Sequence, residues 1–420
     1  MTRKNTGHRS LHFDTRAIHH GLKNDGFEGA TLPPIYQNAA HYHETAQDLS
    51  RTFAGETGDH IYMRLTNPTN QFLENKLCAL ESGRKAILTS SGMAAINNAC
   101  MTLLRSGDEL VASRSLFMST FNLFTNIYSK YGIKAVLVDP LAPQKIENAI
   151  TGQTRFVYIE TITNPGMEIT DIRRIANIAH AKGVPLMVDN TLASPWLCRP
   201  IELGADIVLH STTKYLSGHG ASLGGLIVDA GNFDWSQPRF DDFAGTAQAG
   251  NFNFITKAWK EAQVNFGTTP APFHSFLTAV GLNTLGVRME RHMENAMKTA
   301  SFLKKHPKVK WVNFPGFEDH ISHKIANEQF CNRGFGTMLT FGLENEAACF
   351  KCIDRLSMIL NLANLGDCKT LIIHPWSTQY VSFPKAQREQ MADPCLLRLS
   401  VGIEHIDDIC ADLDQALSGV

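Results

Sequence analysis

The sequence predicts an α/β protein: a large domain on a mostly parallel sheet, followed by a smaller α+β C-terminal domain. Three observations carry that expectation. Short, continuous apolar runs recur at 85–89, 109–112, 134–138, 155–159, 185–188 and 206–209. Amphipathic stretches separate most of them. The clearest spans 171–182, with Ile172, Ile175, Ala176, Ile178 and Ala179 on one face and Gly183 as a stop. Strands apolar on both sides belong in a parallel sheet covered by helices on both faces. After about residue 265 the pattern changes. Residues 273–303 read as mainly helical, 309–312 and 337–341 as short strands, and 346–356 as a helix.

With 420 residues the chain can form two domains with substantial cores. Its hydrophobic content of 43%, charged content of 19% and net charge of −1 describe a globular protein without a footprint for nucleic acid or an anionic membrane. No apolar run approaches the roughly 20 residues that span a bilayer. Residues 1–10 are polar and lack the apolar core of a secretory signal. Nine cysteines without a regular framework fit reduced thiols, so a cytoplasmic location is expected. Cys349 and Cys352 lie in a helical pattern with no second pair at metal spacing; they read as a core-facing pair, and no metal site is expected.

Residues 1–65 read as an irregular arm, interrupted by Gly21, Gly26, Gly29, Pro33, Pro34, Gly55 and Gly58. Such an arm is expected to wrap another part of the protein or a neighbouring subunit. Residues 66–265 make the large domain and 266–420 the small one. A helix over 70–81 leads to the first strand. Ser90-Ser91-Gly92-Met93-Ala94-Ala95 then opens a helix running to about Leu104. Small residues at a strand-to-helix turn leave N–H groups free to bind an anion. The pattern is neither a Walker loop nor Gly-x-Gly-x-x-Gly, which counts against nucleotide binding. The stretch 229–254, rich in Gly, Asp, Asn and Phe, reads as a surface loop near the site. The helical region also carries Arg288-Met289-Glu290-Arg291-His292-Met293-Glu294-Asn295.

Ligands in such sheets sit beyond the carboxyl ends of the strands. The polar residues there are Ser90, Ser91, Gly92, Ser113, Glu160, Asp189, Asn190, Ser211 and Lys214. A lysine beside hydroxyls at a strand end is often merely solvated. Burial or a cationic neighbour turns it into a nucleophilic amine that forms Schiff bases with carbonyl compounds.

Seven motifs in one order carry a resemblance: Tyr62-x-Arg64 with Asn67-Pro68-Thr69, Ser91-Gly92-Met93-Ala94-Ala95, Glu160 with Asn164-Pro165, Asp189-Asn190-Thr191, Ser211-x-Thr213-Lys214, Leu365-Gly366-Asp367 with His374-Pro375, and Arg398-Leu399-Ser400-Val401-Gly402. Together they resemble the pyridoxal-phosphate enzymes of cysteine and methionine metabolism, the cystathionine γ-synthase group of the aspartate-aminotransferase-like fold. The similarity runs from Tyr62 to Glu404. It implies that Lys214 holds pyridoxal 5'-phosphate and shuttles protons, and that Asp189 pairs with the pyridine nitrogen. It further implies that Gly92, Met93, Ser211, Thr213, Tyr62 and Arg64 bind the phosphate, the last two from the neighbouring subunit of a homodimer or homotetramer. Asn164 would lie near the phenolic oxygen. Arg398 would take the substrate carboxylate, with Asn364 and Glu160 on the substrate side.

One departure bears on chemistry. Where most of this family stack a tyrosine on the cofactor ring, this chain has Phe117, which can stack but carries no hydroxyl; Met118 follows in place of a usual glycine. The run Ser113-Arg114-Ser115-Leu116-Phe117 resembles the O-succinylhomoserine sulfhydrylases. Residues 224–235 and 365–375 resemble the O-acetylhomoserine sulfhydrylases. Ala363-Asn364 stands where cystathionine γ-lyases tend to place an acidic residue. Trp376, Gln379 and Tyr380 replace the usual small residues and Thr-His. The resemblance therefore implies γ-replacement on an O-acyl-homoserine (acetyl or succinyl) with sulfide to give homocysteine, in trans-sulfuration or methionine biosynthesis. Elimination by a cystathionine β- or γ-lyase or a methionine γ-lyase is the alternative.

Overall fold

The computed structural model describes residues 11–22 and 28–420, without the side chains at 244, 246–249, 251 and 390. The polar stretch 1–10 and Gly26 therefore lie outside the described residues. The arm is less irregular than its glycines suggest, since it holds helices α1 (Phe13–His19) and α2 (Ala46–Phe53). Phe13 and Ala17 of α1 are buried in the same apolar cluster as Phe72 and Leu282 of their own chain. Tyr42, Phe53 and Tyr62, by contrast, keep large exposed rings.

Helix α3 (Pro68–Leu80) starts two residues earlier than its apolar pattern. Asn67 accepts the N–H groups of Thr69 and Asn70, and Pro68 occupies the first turn. After it come β1 (Lys85–Thr89), α4 (Gly92–Leu103), β2 (Glu109–Ser113), β3 (Lys134–Val138), β4 (Thr154–Glu160), α5 (Ile172–Ala181), β5 (Leu186–Asp189), β6 (Ile207–Ser211) and β7 (Gly225–Asp229). The sheet order is β1-β7-β6-β5-β4-β2-β3. Strands β2 to β6 run parallel, while β7 is antiparallel to both β6 and β1. Alternate residues feed two cores: Val157, Ile159, Val188 and Val208 one, Phe156, Tyr158, Met187 and Leu209 the other.

The structure corrects several sequence expectations. Strands β4, β5 and β6 run on through Glu160, Asp189 and Ser211, because ladder hydrogen bonds continue where the apolar pattern stops. Strand β7, which begins at Gly225, was not anticipated: the strand runs read from the large domain end at 209. Gly225 is required there: a Cβ would lie 2.1 Å from the carbonyl oxygen of Ser91. The stretch 229–254 is not a surface loop near the site. Trp235, Phe240, Phe243 and Phe254 are buried in an aromatic cluster, with Trp235 stacked on Phe243 at 4.7 Å. Arg155, at the amino end of β4, reaches Asp242 at 2.8 Å, so this segment closes the end of the sheet away from the catalytic residues.

The C-terminal region begins with two helices, α6 (Pro272–Leu282) and α7 (Leu285–Lys305), where the sequence pattern reads as one stretch. The strand expected at 309–312 is β8 (Trp311–Asn313), two residues later. Next come β9 (Met338–Gly342), α8 (Glu346–Arg355), β10 (Leu360–Asn361), β11 (Leu371–Ile373), β12 (Leu396–Ser400) and α9 (Ile406–Ser418). The sheet order is β10-β11-β12-β9-β8, with the central pairs antiparallel. Cys349 and Cys352 face its core from α8, and all nine cysteines are free thiols. Strands β10 to β12 and helix α9 escaped the sequence pattern.

Asp412 of α9 ties this domain together by accepting the N–H groups of Ser357, Met358 and Ile359 at 2.8, 2.9 and 2.8 Å. Asp412→Ala strands three donors. It is expected to destabilise the fold by about 1–3 kcal/mol, read as a lower thermal midpoint with the visible spectrum of the loaded enzyme unchanged.

Candidate active site

A cavity of about 500 Å³ opens at the carboxyl ends of β4, β5 and β6, between the two sheets. Its wall contains most of the residues singled out in the sequence: Gly92, Met93, Phe117, Glu160, Asn164, Asp189, Ser211, Thr213, Lys214, Asn364 and Arg398. Those from the parallel sheet arrive together because their strands end at one edge. Arg398 comes from β12 and Asn364 from the loop before β11, so only tertiary packing brings them to Lys214.

Lys214 follows β6 in a tight turn whose N–H bonds back to Ser211. Its amine donates to the Asn364 side-chain oxygen at 2.5 Å. Burial, helped by the positive charge of Arg398, lowers its pKa to about 8. A lysine so poised is an amine nucleophile near neutral pH. Arg398 is wholly enclosed. Its guanidinium donates to the Asn164 side-chain oxygen at 3.1 Å, to that of Gln379 at 3.3 Å and to the Asn364 carbonyl at 3.2 Å. All three acceptors are neutral, and Nε has no partner. Burial lowers even this pKa to about 10. An enclosed cation whose acceptors among the described residues are all neutral is suited to receive a carboxylate.

Two carboxyl groups face the same cavity, and β4 pairs with β5 so that Glu160 lies opposite Asp189. Burial raises both pKa values, and the charge of Asp189 pushes Glu160 well up. Asp189 is the better anion of the two. It accepts the N–H of Thr191 at 2.9 Å and the Tyr158 hydroxyl at 3.4 Å. Glu160 accepts the N–H of Phe117 at 2.6 Å and so fixes the backbone that carries that ring.

The opposite wall is the start of α4. Ser91 caps this helix by accepting the N–H of Ala94, and the first N–H groups, at Gly92 and Met93, have no acceptor within the helix. Gly92 is required by contact: a Cβ would stand 2.7 Å from that of Ser211. The helix terminus is thereby pressed against Ser211, whose side chain lines the cavity along with Thr213, an arrangement suited to phosphate. Tyr62 and Arg64 are not in the cavity of their own chain. The Arg64 guanidinium sits 5.6 Å from the Tyr62 ring and donates to the Val264 carbonyl.

The donor set matches a pyridoxal-phosphate group part by part. Lys214 offers an amine for the aldehyde, Asp189 an enclosed anion for a protonated ring nitrogen, and α4 a cradle for the phosphate. On a mostly parallel seven-stranded sheet, that combination defines the pyridoxal-phosphate enzymes of the aspartate-aminotransferase-like fold. The particular family follows from comparison. The model of the Cys/Met metabolism PLP-dependent enzymes matches residues 14–418, and the chain belongs to that family. The chain is 40% identical over 425 residues to the homocysteine synthase of Schizosaccharomyces pombe, with 97% of this chain and 98% of that protein covered. It is 38% identical to the L-methionine gamma-lyase of Porphyromonas gingivalis, with 97% of each covered. A solved structure described as an O-acetylhomoserine (thiol)-lyase from Campylobacter jejuni superposes with a TM-score of 0.92 at 32% identity, covering 97% of this chain and 100% of that one. That structure carries N'-pyridoxyl-lysine-5'-monophosphate.

Sequence reasoning missed several cavity residues, among them Ile162, Leu192, Leu223 and Thr378, together with Tyr158 behind Asp189. Tyr158 sits inside an apolar strand run and Leu223 in a loop, so neither carries a signal before folding. The lowered pKa of Lys214 generates a test. Apoprotein should take up pyridoxal phosphate at a rate that rises with pH and levels off above about 8, where the amine is neutral. Visible absorbance after rapid mixing reads this; a rate still climbing near pH 10 would mean an ordinary exposed lysine.

Proposed function

We propose that this enzyme carries out γ-replacement on an O-acyl-homoserine with sulfide, giving homocysteine and the free carboxylic acid. Phe117 is the observation that carries the choice. It lines the cavity where a hydroxyl-bearing ring would protonate a leaving group, and the ionisable groups on that wall are Glu160, Asp189, Lys214 and Arg398. A departing carboxylate, with a pKa of about 4, leaves as an anion without help, whereas a departing thiolate, at about 8.5 or above, gains from an acid. The pocket therefore suits an ester of homoserine better than a thioether. The names of the relatives from Schizosaccharomyces pombe and Campylobacter jejuni agree with this reading. The methionine γ-lyase relative supports the second reading, elimination.

In this scheme Arg398 binds the substrate carboxylate, which displaces the Gln379 oxygen, and Asn164 steadies the guanidinium. Bound pyridoxal phosphate supplies an electron sink that acidifies the substrate Cα–H. Asp189 keeps the ring nitrogen protonated. Lys214 takes the proton from Cα and then one from Cβ, its lowered pKa matching that work. Glu160 fixes the backbone of Phe117, whose side chain would stack on the cofactor ring. The acyl carboxylate departs from Cγ, hydrogen sulfide adds there with loss of a proton, and Lys214, which carries one proton at a time, returns a proton to Cβ and then to Cα to give homocysteine.

Residues 1–65 form an arm in this reading, 66–265 the cofactor domain and 266–420 the small domain. Tyr62 and Arg64 act across a homodimer or homotetramer interface, which accords with their position outside their own cavity. Among the described residues no helix is long and apolar enough to cross a membrane, and we place the enzyme in the cytoplasm.

A panel of acyl-homoserines with sulfide, and of thioethers alone, tests the assignment; keto-acid release from methionine or cystathionine with no homocysteine formed would reverse it. Phe117→Tyr should raise thioether elimination about tenfold relative to replacement, since it restores an acid to the leaving-group side; keto-acid and ammonia assays measure it. Mixed refolding of inactive Arg64→Ala with inactive Lys214→Ala should recover about a quarter of the wild-type activity if sites are shared between two subunits. No recovery would place both residues in one site of one chain.

A further inference from the structure

The cavity depends on two cations held by different sheets, and Asn364, which accepts a hydrogen bond from each, stands on a loop that must itself be held in place. Lys214 lies in the turn after β6, and Arg398 lies in β12. Helix α7 touches both neighbourhoods with residues three and four apart, which share one face of a helix. Arg288 is buried, and its Nη1 donates to the carbonyl of Tyr215, the residue after Lys214, at 2.8 Å. Its Nη2 donates to the Gly281 carbonyl at 2.8 Å and its Nε to the Thr284 hydroxyl at 3.1 Å. The turn is shaped to receive it: Gly218 has φ +72°, and a Cβ there would fall 2.0 Å from Nη1.

One turn further on, His292 donates through Nδ1 to the Val401 carbonyl at 2.6 Å, three residues beyond Arg398. Its ring meets that of Tyr215 edge-on at 5.6 Å. Burial lowers its pKa to about 4, so the ring is neutral, and the carbonyl partner puts its one proton on Nδ1. Asn295 donates to the carbonyls of Gly402 and Glu404 at 3.0 and 2.9 Å. The Glu404 carboxylate in turn accepts the N–H of Thr370 at 2.6 Å and its hydroxyl at 2.8 Å, which secures the loop that carries Asn364.

We infer that Arg288, His292 and Asn295 are positioning residues: a stripe on α7 that holds the Lys214 turn and the Arg398 strand end in one fixed relation. Arg288 governs the lysine side, Asn295 the carboxylate side, and His292 joins them through Tyr215 and Val401. The main-chain carbonyls are the targets, so the stripe acts on backbone placement and touches no reacting atom.

The inference rests on the roles given above to Lys214 and Arg398, and its test separates the two. Borohydride fixation of the cofactor in the wild-type enzyme examines the reading itself; a label away from Lys214 sinks it. With the label on Lys214, the full-length variants examine the stripe. Asn295→Leu should raise KM for the acyl-homoserine about tenfold, with kcat and the rate of pyridoxal phosphate uptake by apoprotein changed less than about twofold. Arg288→Met should do the reverse, slowing uptake about tenfold with KM held within about twofold. If Arg288→Met does not fold, Arg288→Lys, which keeps one donor group, should slow uptake about threefold with KM unchanged. Parallel changes of both readouts in every variant, tracking lost thermal stability, would mean that α7 only supports the fold and would overturn the inference, as would wild-type kinetics throughout.

Discussion

Two cations enclosed in one cavity, with only neutral oxygens to accept their hydrogen bonds, set the terms for the rest of this molecule. Taking a guanidinium or an ammonium out of water costs several kcal/mol unless partners compensate. Asn164, Gln379 and Asn364 supply acceptors to Arg398 and Lys214 without cancelling their charge. The site thus keeps a positive potential for anionic ligands, a phosphate and an amino-acid carboxylate. Burial, helped by the charge of Arg398, lowers the Lys214 pKa to about 8, so in the proposed reaction one arrangement serves both recognition and proton transfer.

The enclosed carboxyl groups obey the same economy. Burial makes both resist ionisation, and Glu160 is pushed up further by the charge of Asp189. Asp189, supported by Thr191 and Tyr158, is the better anion and, in the proposed reading, the partner of a protonated ring nitrogen. Glu160 serves as an anchor for the Phe117 backbone. A wall with a phenyl ring in place of a phenol suits the departure of a carboxylate, and this links one substitution in a familiar pattern to the reaction proposed.

Architecture explains how the parts meet. Five parallel strands deliver their polar ends to one edge, and a second sheet brings Arg398 across the cavity. Helix α7 packs against both the Lys214 turn and the end of β12, so the distance between the cations is a property of tertiary packing.

The strand runs, the helix 172–181, the small-residue opening of α4 and the local motifs around Lys214 and Asp189 were legible in the sequence, because periodicity and strand-end polarity are properties of neighbouring residues. So was the cofactor class, carried by seven motifs in order. Other features were not. Strand β7 hid behind two glycines, Gly224 packed against Thr212 and Gly225 against Ser91, and the aromatic stretch 229–254 went to the far end of the sheet because Arg155 and buried rings hold it there. The facing of Gln379 on Arg398, the hydrogen bond of Tyr158 to Asp189 and the stripe on α7 join residues tens to hundreds of positions apart. The sequence determined which chemistry this chain can hold; folding decided which side chains share the cavity, since burial, charge proximity and backbone contact arise only when distant segments pack.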